Sequence, residues 1–548
     1  MRKEILLLIS TSLLLTACSF GQPLHGKRAF THQDTLRGTI TPERAWWDVT
    51  RYDISVTPNY ESKSIVGKNV ISFKTLYEQP KNHRMQIDLQ EPMVIDSIVY
   101  RNSKLPFEHD QNVWMVNWSG IDIAKESKIT IHYHGTPRQA VNPPWDGGWI
   151  WKTDQQGRQW MSVACQGLGA SVWYPCKDHQ SDEPDNGASL SMTVANDLVA
   201  VANGRMIKKT SANNLTTYTW EVKNPINNYD IIPYIGSYVN FSDTLMGEKG
   251  KLDLNYWVLD YDLPKAKKQF EQVKPMLRAF EYWMGPYPFY EDGYKLVEAP
   301  HLGMEHQSAV AYGNKFMNGY LGTDLSGTGY GLKWDYIIVH ESGHEWFGNN
   351  ITTNDIADMW VHEGFTDYTE ALYINYHYGK IGADKYVQGL RKNIQNDNPI
   401  IGPYGVNQEG SGDMYYKGAN LLHMIRTIID NDEQFRQILR GLNKNFYHKT
   451  VTSAEVEQYI SRKCGKDLSK VFDQYLRTTE IPKLELKVEE GGLRFRWSEC
   501  IEGFNMPVKL TNGKWIYATT TEEILKGVKV EKGLKVDENF YVRVGEGN

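Results

Sequence analysis

The stretch Asp335-Tyr336-Ile337-Ile338-Val339-His340-Glu341-Ser342-Gly343-His344 decides how this chain is read. Its apolar run predicts a buried helix, extending from Tyr336 to Phe347. Residues four apart share a helix face, so the imidazoles of His340 and His344 can reach one ion. Glu341 stands near that face, where a carboxylate can hold a proton beside water at the metal. The bland alternative is a pair of core histidines on an amphipathic helix. A third ligand argues against it: Glu363 lies 19 residues after His344, in Trp360-Val361-His362-Glu363-Gly364-Phe365. Gly348-Asn349-Asn350 breaks the first helix, and a second helix can then present Glu363 to the same ion. Two His and one Glu leave a coordination position open for water, as a catalytic zinc site requires. The same donor set serves iron in oxygenases, but a base at Glu341 favours hydrolysis.

Outward from this centre the pattern changes twice. Upstream, Tyr52–Val56, Val70–Phe73, Met85–Leu89 and Ile129–Tyr133 carry β-branched and aromatic residues between turn signals, predicting a β domain over 44–245. Around the centre, helical spacing over Pro264–Trp283 (interrupted at Pro275), Phe365–Tyr378, Ala419–Ile429 and Ala454–Ile460 predicts a mainly helical domain over 246–480. Strand patterns return at Leu484–Val488, Leu493–Trp497 and Tyr541–Val544, giving a small β domain over 481–548. The fold class expected is multidomain α+β.

The N-terminus reads as an address. Arg2 and Lys3 precede an apolar run, Ile5–Leu15, of signal-peptide length. Leu15-Thr16-Ala17-Cys18 then resembles a bacterial lipobox, so residues 1–18 are read as a lipoprotein signal, Cys18 as the lipidated residue and 19–43 as a tether. The expectation is an exported lipoprotein held to a membrane by its acyl chains, and Ser19 favours the outer membrane in Gram-negative sorting. Cys165, Cys176, Cys464 and Cys500 remain, too few for a disulfide-built scaffold, and no C-x-x-C spacing suggests a thiolate metal site. The 548 residues carry 60 Lys and Arg against 66 Asp and Glu, a net charge of -6. That leaves no global basic field for nucleic acid.

With these neighbours in view, the chain resembles the M1 family of zinc aminopeptidases, the gluzincin group. The resemblance rests on H-E-x-x-H, an 18-residue gap and Glu, with Trp346-Phe347-Gly348-Asn349 and Trp360–Phe365 agreeing around them. It implies one Zn²⁺ per chain on His340, His344 and Glu363, with Glu341 as general base. Leu302-Gly303-Met304-Glu305-His306 lines up with the family's G-x-M-E-N motif. This implies that Glu305 grips the substrate's free α-amino group, with Gly303 and Met304 beside the substrate. Leu302 and His306 depart from that motif. Tyr415, in Tyr415-Tyr416-Lys417-Gly418, matches the family's oxyanion-stabilising tyrosine. Gln166 matches a glutamine that reaches the substrate amine, and Glu370 matches an acidic position supporting a ligand. The resemblance further implies a β saddle, a thermolysin-like catalytic domain and a β-sandwich. The large helical C-terminal domain frequent in the family has no counterpart here, implying a more open cleft unless a second subunit covers it.

The function expected is release of N-terminal residues from peptides with a free amino terminus. The alternatives weighed are a zinc endopeptidase and a non-catalytic peptide-binding lipoprotein. Two lesser signals receive bland readings. Ser326–Gly331 is glycine-rich but lacks the Lys-Ser/Thr ending of a phosphate loop, and reads as a mobile loop. His301 and His306 read as substrate-pocket or surface residues rather than a second metal pair. Oligomeric state is left open.

Overall fold

The computed structural model describes residues 29–76, 81–489, 492–526 and 535–546. Residues 1–28, on which the expected signal, Cys18 and the start of the expected tether fall, lie outside the described residues.

Residues 29–43 differ from the tether expected of them. They hold α1 (His32–Gly38) and the first half of α2 (Pro42–Ala45), α1 being started by a Thr31–Asp34 capping box. Arg44 is fully buried and donates to the carbonyls of Arg37 and Thr39. Helices this short are marginal alone and form here against the β domain, which local periodicity does not record.

An eight-stranded sheet follows, built around Trp47–Asn59 and Ser64–Thr75 in antiparallel register, with Ile54 opposite Asn69. Tyr52, Ile54 and Val56 point inward and are buried, as a half-buried strand requires. Trp46, Trp47, Phe73 and Trp118 form edge-to-face ring pairs in this core. The hairpin Gly148–Thr153 and Gln159–Ala164 belongs to a second, four-stranded sheet beside it.

The middle of the chain is less helical than its periodicity suggests. A five-stranded sheet runs Tyr238–Gly247, Gly250–Leu259, Tyr294–Glu298, Val310–Tyr312 and Gly303–Met304 in spatial order. Its first strand starts before residue 245, so the sheet takes in part of the stretch read as the preceding β domain. Strand alternation looks alike in both domains; only pairing assigns it. Gly303–Met304 is an edge strand of this sheet.

Helices pack on the sheet and on one another. They are α3 (Leu263–Gln269), α4 (Val273–Met284), α5 (Tyr336–Gly343), α6 (Trp360–Tyr378), α7 (Lys380–Leu390), α8 (Tyr416–Ile429), α9 (Asp432–Asn445), α10 (Ser453–Cys464) and α11 (Ser469–Arg477). The break between α3 and α4 falls at Phe270–Gln272, a 3₁₀ turn, and not at Pro275. Pro275 sits in the first turn of α4, where a missing N–H removes no helical bond. The segment 326–331 is tied down, contrary to the mobile loop expected: Asp324 accepts from Ser326 N, Ser326 Oγ and Gly329 N.

After α11 the chain forms a four-stranded sheet around Lys483–Glu489 and Gly492–Ser498. Cys165, Cys176, Cys464 and Cys500 are all unpaired. Among the described residues no helix is long and apolar enough to cross a membrane.

Candidate metal centre

Asp335 fixes where α5 begins. Its Oδ1 accepts from the N–H groups of Ile337 and Ile338, the orphan donors of a helix start. Its Oδ2 accepts from Tyr312 Oη, on the sheet, and from Gln269 Nε2, on α3. The helix is thereby locked to the sheet that carries Gly303–Met304. It is shorter than expected, because Phe347 and Gly348 leave helical geometry.

α6 begins at Trp360 and crosses α5 at close range. A Cβ on Gly343 would stand 2.5 Å from Thr369 Oγ1, so the glycine permits the approach. α8 crosses α6 in the same way: a Cβ on Gly418 would lie 3.0 Å from the Cα of Gly364. That crossing brings Tyr415, at the start of α8, against α5, with its ring 6.1 Å from that of His340.

The structure gathers His340, His344 and Glu363 with ligand atoms within 4.8 Å of one another. Glu363 Oε2 lies 3.3 Å from His344 Nε2 and 3.8 Å from His340 Nε2. The other ring nitrogens are engaged elsewhere. His340 Nδ1 is 2.7 Å from Glu370 Oε1, and Tyr386 Oη donates to Glu370 Oε2 at 2.6 Å. His344 Nδ1 is 3.1 Å from the carbonyl of Phe347. Each imidazole therefore turns its Nε2 toward Glu363, the tautomer and orientation that metal ligation needs. Glu363 Oε2 is buried and faces the Nε2 atoms of both imidazoles. A buried carboxylate oxygen between two imidazole nitrogens fits a divalent cation.

The surrounding charges press the same way. Glu305, Glu341, Asp367 and Glu370 are all buried. Burial pushes Glu341 and Asp367 well above the usual carboxylate range, and Glu370 up to about 8. His344 is raised to about 10, because the neighbouring carboxylates Glu363 and Glu305 outweigh its burial. The ion pairs recorded for the trio and Glu370 involve only the two imidazoles, and no Lys or Arg.

The other expected residues line the same space. A cleft of about 540 Å³ is bordered by Gln166, Gly303, Met304, Glu305, Glu341 and Tyr415 besides the trio. A Cβ on Gly303 would come within 2.6 Å of Glu341 Oε1, so the edge strand and the carboxylate need this glycine. Glu305 Oε1 accepts from Gln166 Nε2 at 2.5 Å and from Tyr229 Oη at 2.9 Å. Burial and the Glu363 charge raise the Tyr415 phenol well above its ordinary value. His301 and His306 are buried and not on the surface. His306 turns to Tyr234 Oη at 2.5 Å and does not line the cleft.

Sequence reading missed Tyr229, Tyr386, Thr366 and Asp367. Thr366, Asp367 and Glu370 follow Glu363 by three, four and seven residues, so one helix face held the signal. Tyr229 and Tyr386 come from distant segments and carried none.

Residues 268–475 match the family model described as the Peptidase family M1 domain. Over that stretch the chain is similar to the M1 peptidases. The chain is also similar to several curated relatives. Leucyl aminopeptidase of Saccharolobus solfataricus is 22% identical over 536 residues, covering 90% of this chain and 63% of the relative. Probable aminopeptidase 1 of Sulfurisphaera tokodaii is 21% identical over 364 residues, covering 63% and 44%. Endoplasmic reticulum aminopeptidase 1 of Homo sapiens is 22% identical over 337 residues, covering 59% and 35%. The chain thus spans between about a third and somewhat under two thirds of these relatives. In fold it is similar to the M1 zinc metallopeptidase of Deinococcus radiodurans, with a TM-score of 0.65 and 19% identity, covering 79% of this chain and 95% of that one. The shared architecture is a multidomain α+β fold.

Proposed function

We propose that this chain is a zinc aminopeptidase of the M1 family, releasing N-terminal residues from peptides. The carrying observation is the buried trio His340, His344 and Glu363, set in excess negative charge with Glu305 close beside His344 in the same cleft. In this reading His340, His344 and Glu363 hold zinc, which when bound polarises the scissile carbonyl and acidifies water at neutral pH.

The chain's own residues do the rest. Glu341 takes the proton of the attacking water and passes it to the leaving nitrogen as the C–N bond breaks. The Tyr415 phenol, kept protonated by its surroundings, donates to the oxyanion that forms on the carbonyl. Glu370 orients His340 through Nδ1. Gln166 spends its N–H on Glu305, leaving its carbonyl oxygen and the second Glu305 oxygen to accept from the substrate ammonium. Met304 lies along the substrate on the edge strand. We read the flanking β regions as the saddle and sandwich of this family, and residues 1–18 as a signal ending at a lipidated Cys18.

The test is hydrolysis of an aminoacyl anilide with and without a chelator, in the unmutated protein and in Glu341→Gln. Unchanged turnover in the variant removes the mechanism. An N-acetylated peptide cut as fast as its free form points to an endopeptidase. Zinc-loaded protein that binds peptides without cutting them points to a binding lipoprotein.

A further inference from the structure

A second chamber, of about 450 Å³, lies beside the catalytic cleft, between the 148–164 hairpin and the five-stranded sheet. Trp145 and Leu302 line both spaces, so the two share a wall. The edge strand sets which end of a substrate meets it. Glu305, the proposed amine anchor, follows Met304, while the general base Glu341 packs on Gly303. A peptide running from its amine to its scissile bond therefore runs antiparallel to Gly303–Met304. Its downstream part continues past Leu302 toward His301 and the second chamber. The strand itself is only Gly303–Met304, with bends at His301 and Leu302, so an extended substrate advancing about 3.3 Å per residue needs at most about four residues to pass from Glu305 to His301.

The chamber's acids are already satisfied. Asp154 accepts from Gln156 N and Arg158 N on one oxygen and from Arg158 Nε on the other. Asp262 pairs with Lys265 at 2.6 Å. Glu298 accepts from Leu259 N, and burial, with Asp262 beside it, holds its carboxyl at about 8.

The groups left over are donors. Lys152 donates to a single partner, the carbonyl of Pro300, at 2.9 Å. Lys315 lines the same chamber and forms no ion pair or hydrogen bond among the described residues. His301, only 5% exposed, makes no well-formed hydrogen bond at either ring nitrogen, with the Gly303 backbone near it. A buried imidazole whose N–H is poorly satisfied gains from a stronger acceptor.

We propose that this chamber receives a carboxylate of the peptide downstream of the cleaved bond, held by Lys152, Lys315 and His301. The proposal rests on the aminopeptidase reading, which sets the direction of the chain. Two sources supply the group: the substrate's own C-terminus, or an acidic side chain at about the fourth residue. Charge-assisted bonds from two ammonium groups and an imidazole favour such peptides over their amides.

The test compares tetra-alanine with its C-terminal amide on the full, zinc-loaded protein. The free acid is expected to show a KM roughly ten-fold lower, the worth of one charge-assisted bond. In Lys152→Gln and in Lys315→Gln the ratio of acid to amide is expected to fall toward one. Equal kcat/KM for both forms in the unmutated protein, or a full ratio kept in both variants, overturns the proposal. Amidated Ala-Ala-Ala-Glu separates the sources: recovered affinity assigns the side chain, and no recovery assigns the terminus. An aminoacyl anilide is too short to reach the chamber and reports on the aminopeptidase reading alone. Should no substrate be cut, calorimetric binding of tetra-alanine and its amide decides the chamber, equal affinities overturning it.

Discussion

Two clusters of buried charge lie within this chain, and they are built on opposite rules. In the N-terminal region Arg37, Arg44 and Lys177 meet Asp88, Asp178 and Asp182. Arg44 Nη2 reaches Asp88 Oδ2 at 2.5 Å, and Asp178 Oδ2 also accepts from Ser171 N and Oγ. Each charge has an opposite neighbour, although Arg37 Nε and Arg44 Nε are buried without a hydrogen-bond partner. In the peptidase region Glu305, Glu341, Glu363, Asp367 and Glu370 surround two imidazoles, with both Asp367 oxygens lacking hydrogen-bond donors. Burying like charges costs several kcal/mol per ion unless an opposite charge repays it. The balanced cluster closes on itself as a clamp between α1, α2 and the β domain. The unbalanced one is what the proposed cation and substrate ammonium would complete.

That contrast can be broken at either end. Glu341→Gln is expected to lower kcat on an aminoacyl anilide by about 10²–10⁴-fold, with zinc content by atomic absorption unchanged. Arg44→Met leaves Asp88 buried and unpaired. It should cost about 3–5 kcal/mol in denaturant unfolding, while zinc content and kcat of the folded fraction stay as they were. A loss of zinc there would show that the two clusters are coupled. Tyr415→Phe is expected to lower kcat by about 10²–10³-fold with little change in KM, since its bond forms only as the oxyanion develops. Glu370→Gln should weaken zinc about 10–100-fold in a competition titration, by loosening His340.

The smallest effect is a slope. Glu370 and Glu345 are both held up to about 8 in the folded, metal-free chain, chiefly by burial. A carboxyl raised above its unfolded value, near 4.5, contributes stability below that value and loses it as pH rises through 8. Metal-free protein is therefore expected to unfold more easily at pH 8 than at pH 5. Zinc should flatten the curve. A metal-free unfolding midpoint that rises over this range would contradict the unbalanced cluster.

Legibility followed range in sequence. The strands around Tyr52–Val56, Val70–Phe73 and Ile129–Tyr133 were visible because alternation is local. The metal trio was visible because two ligands share one helical turn and the third opens the next helix. The short Gly303–Met304 and Val310–Tyr312 strands were not, being only two and three residues long and defined by partners elsewhere. Nor were α1 and α2, whose helicity depends on Arg44 finding Asp88.

The residue types and spacings by themselves determined the chemistry available: two imidazoles and a carboxylate for an ion, a base beside them, and an acid upstream for an amine. Only the tertiary structure decided what turns those residues into a site. It joined Gln166 and Tyr229 to Glu305, set Tyr415 over His340 at the Gly364–Gly418 crossing, and opened the chamber around His301. Those contacts link residues from 54 (Gly364–Gly418) to 139 (Gln166–Glu305) positions apart, or depend on helices meeting at a glycine. Close approach in space is a property of packing, and no local pattern in the chain encodes it.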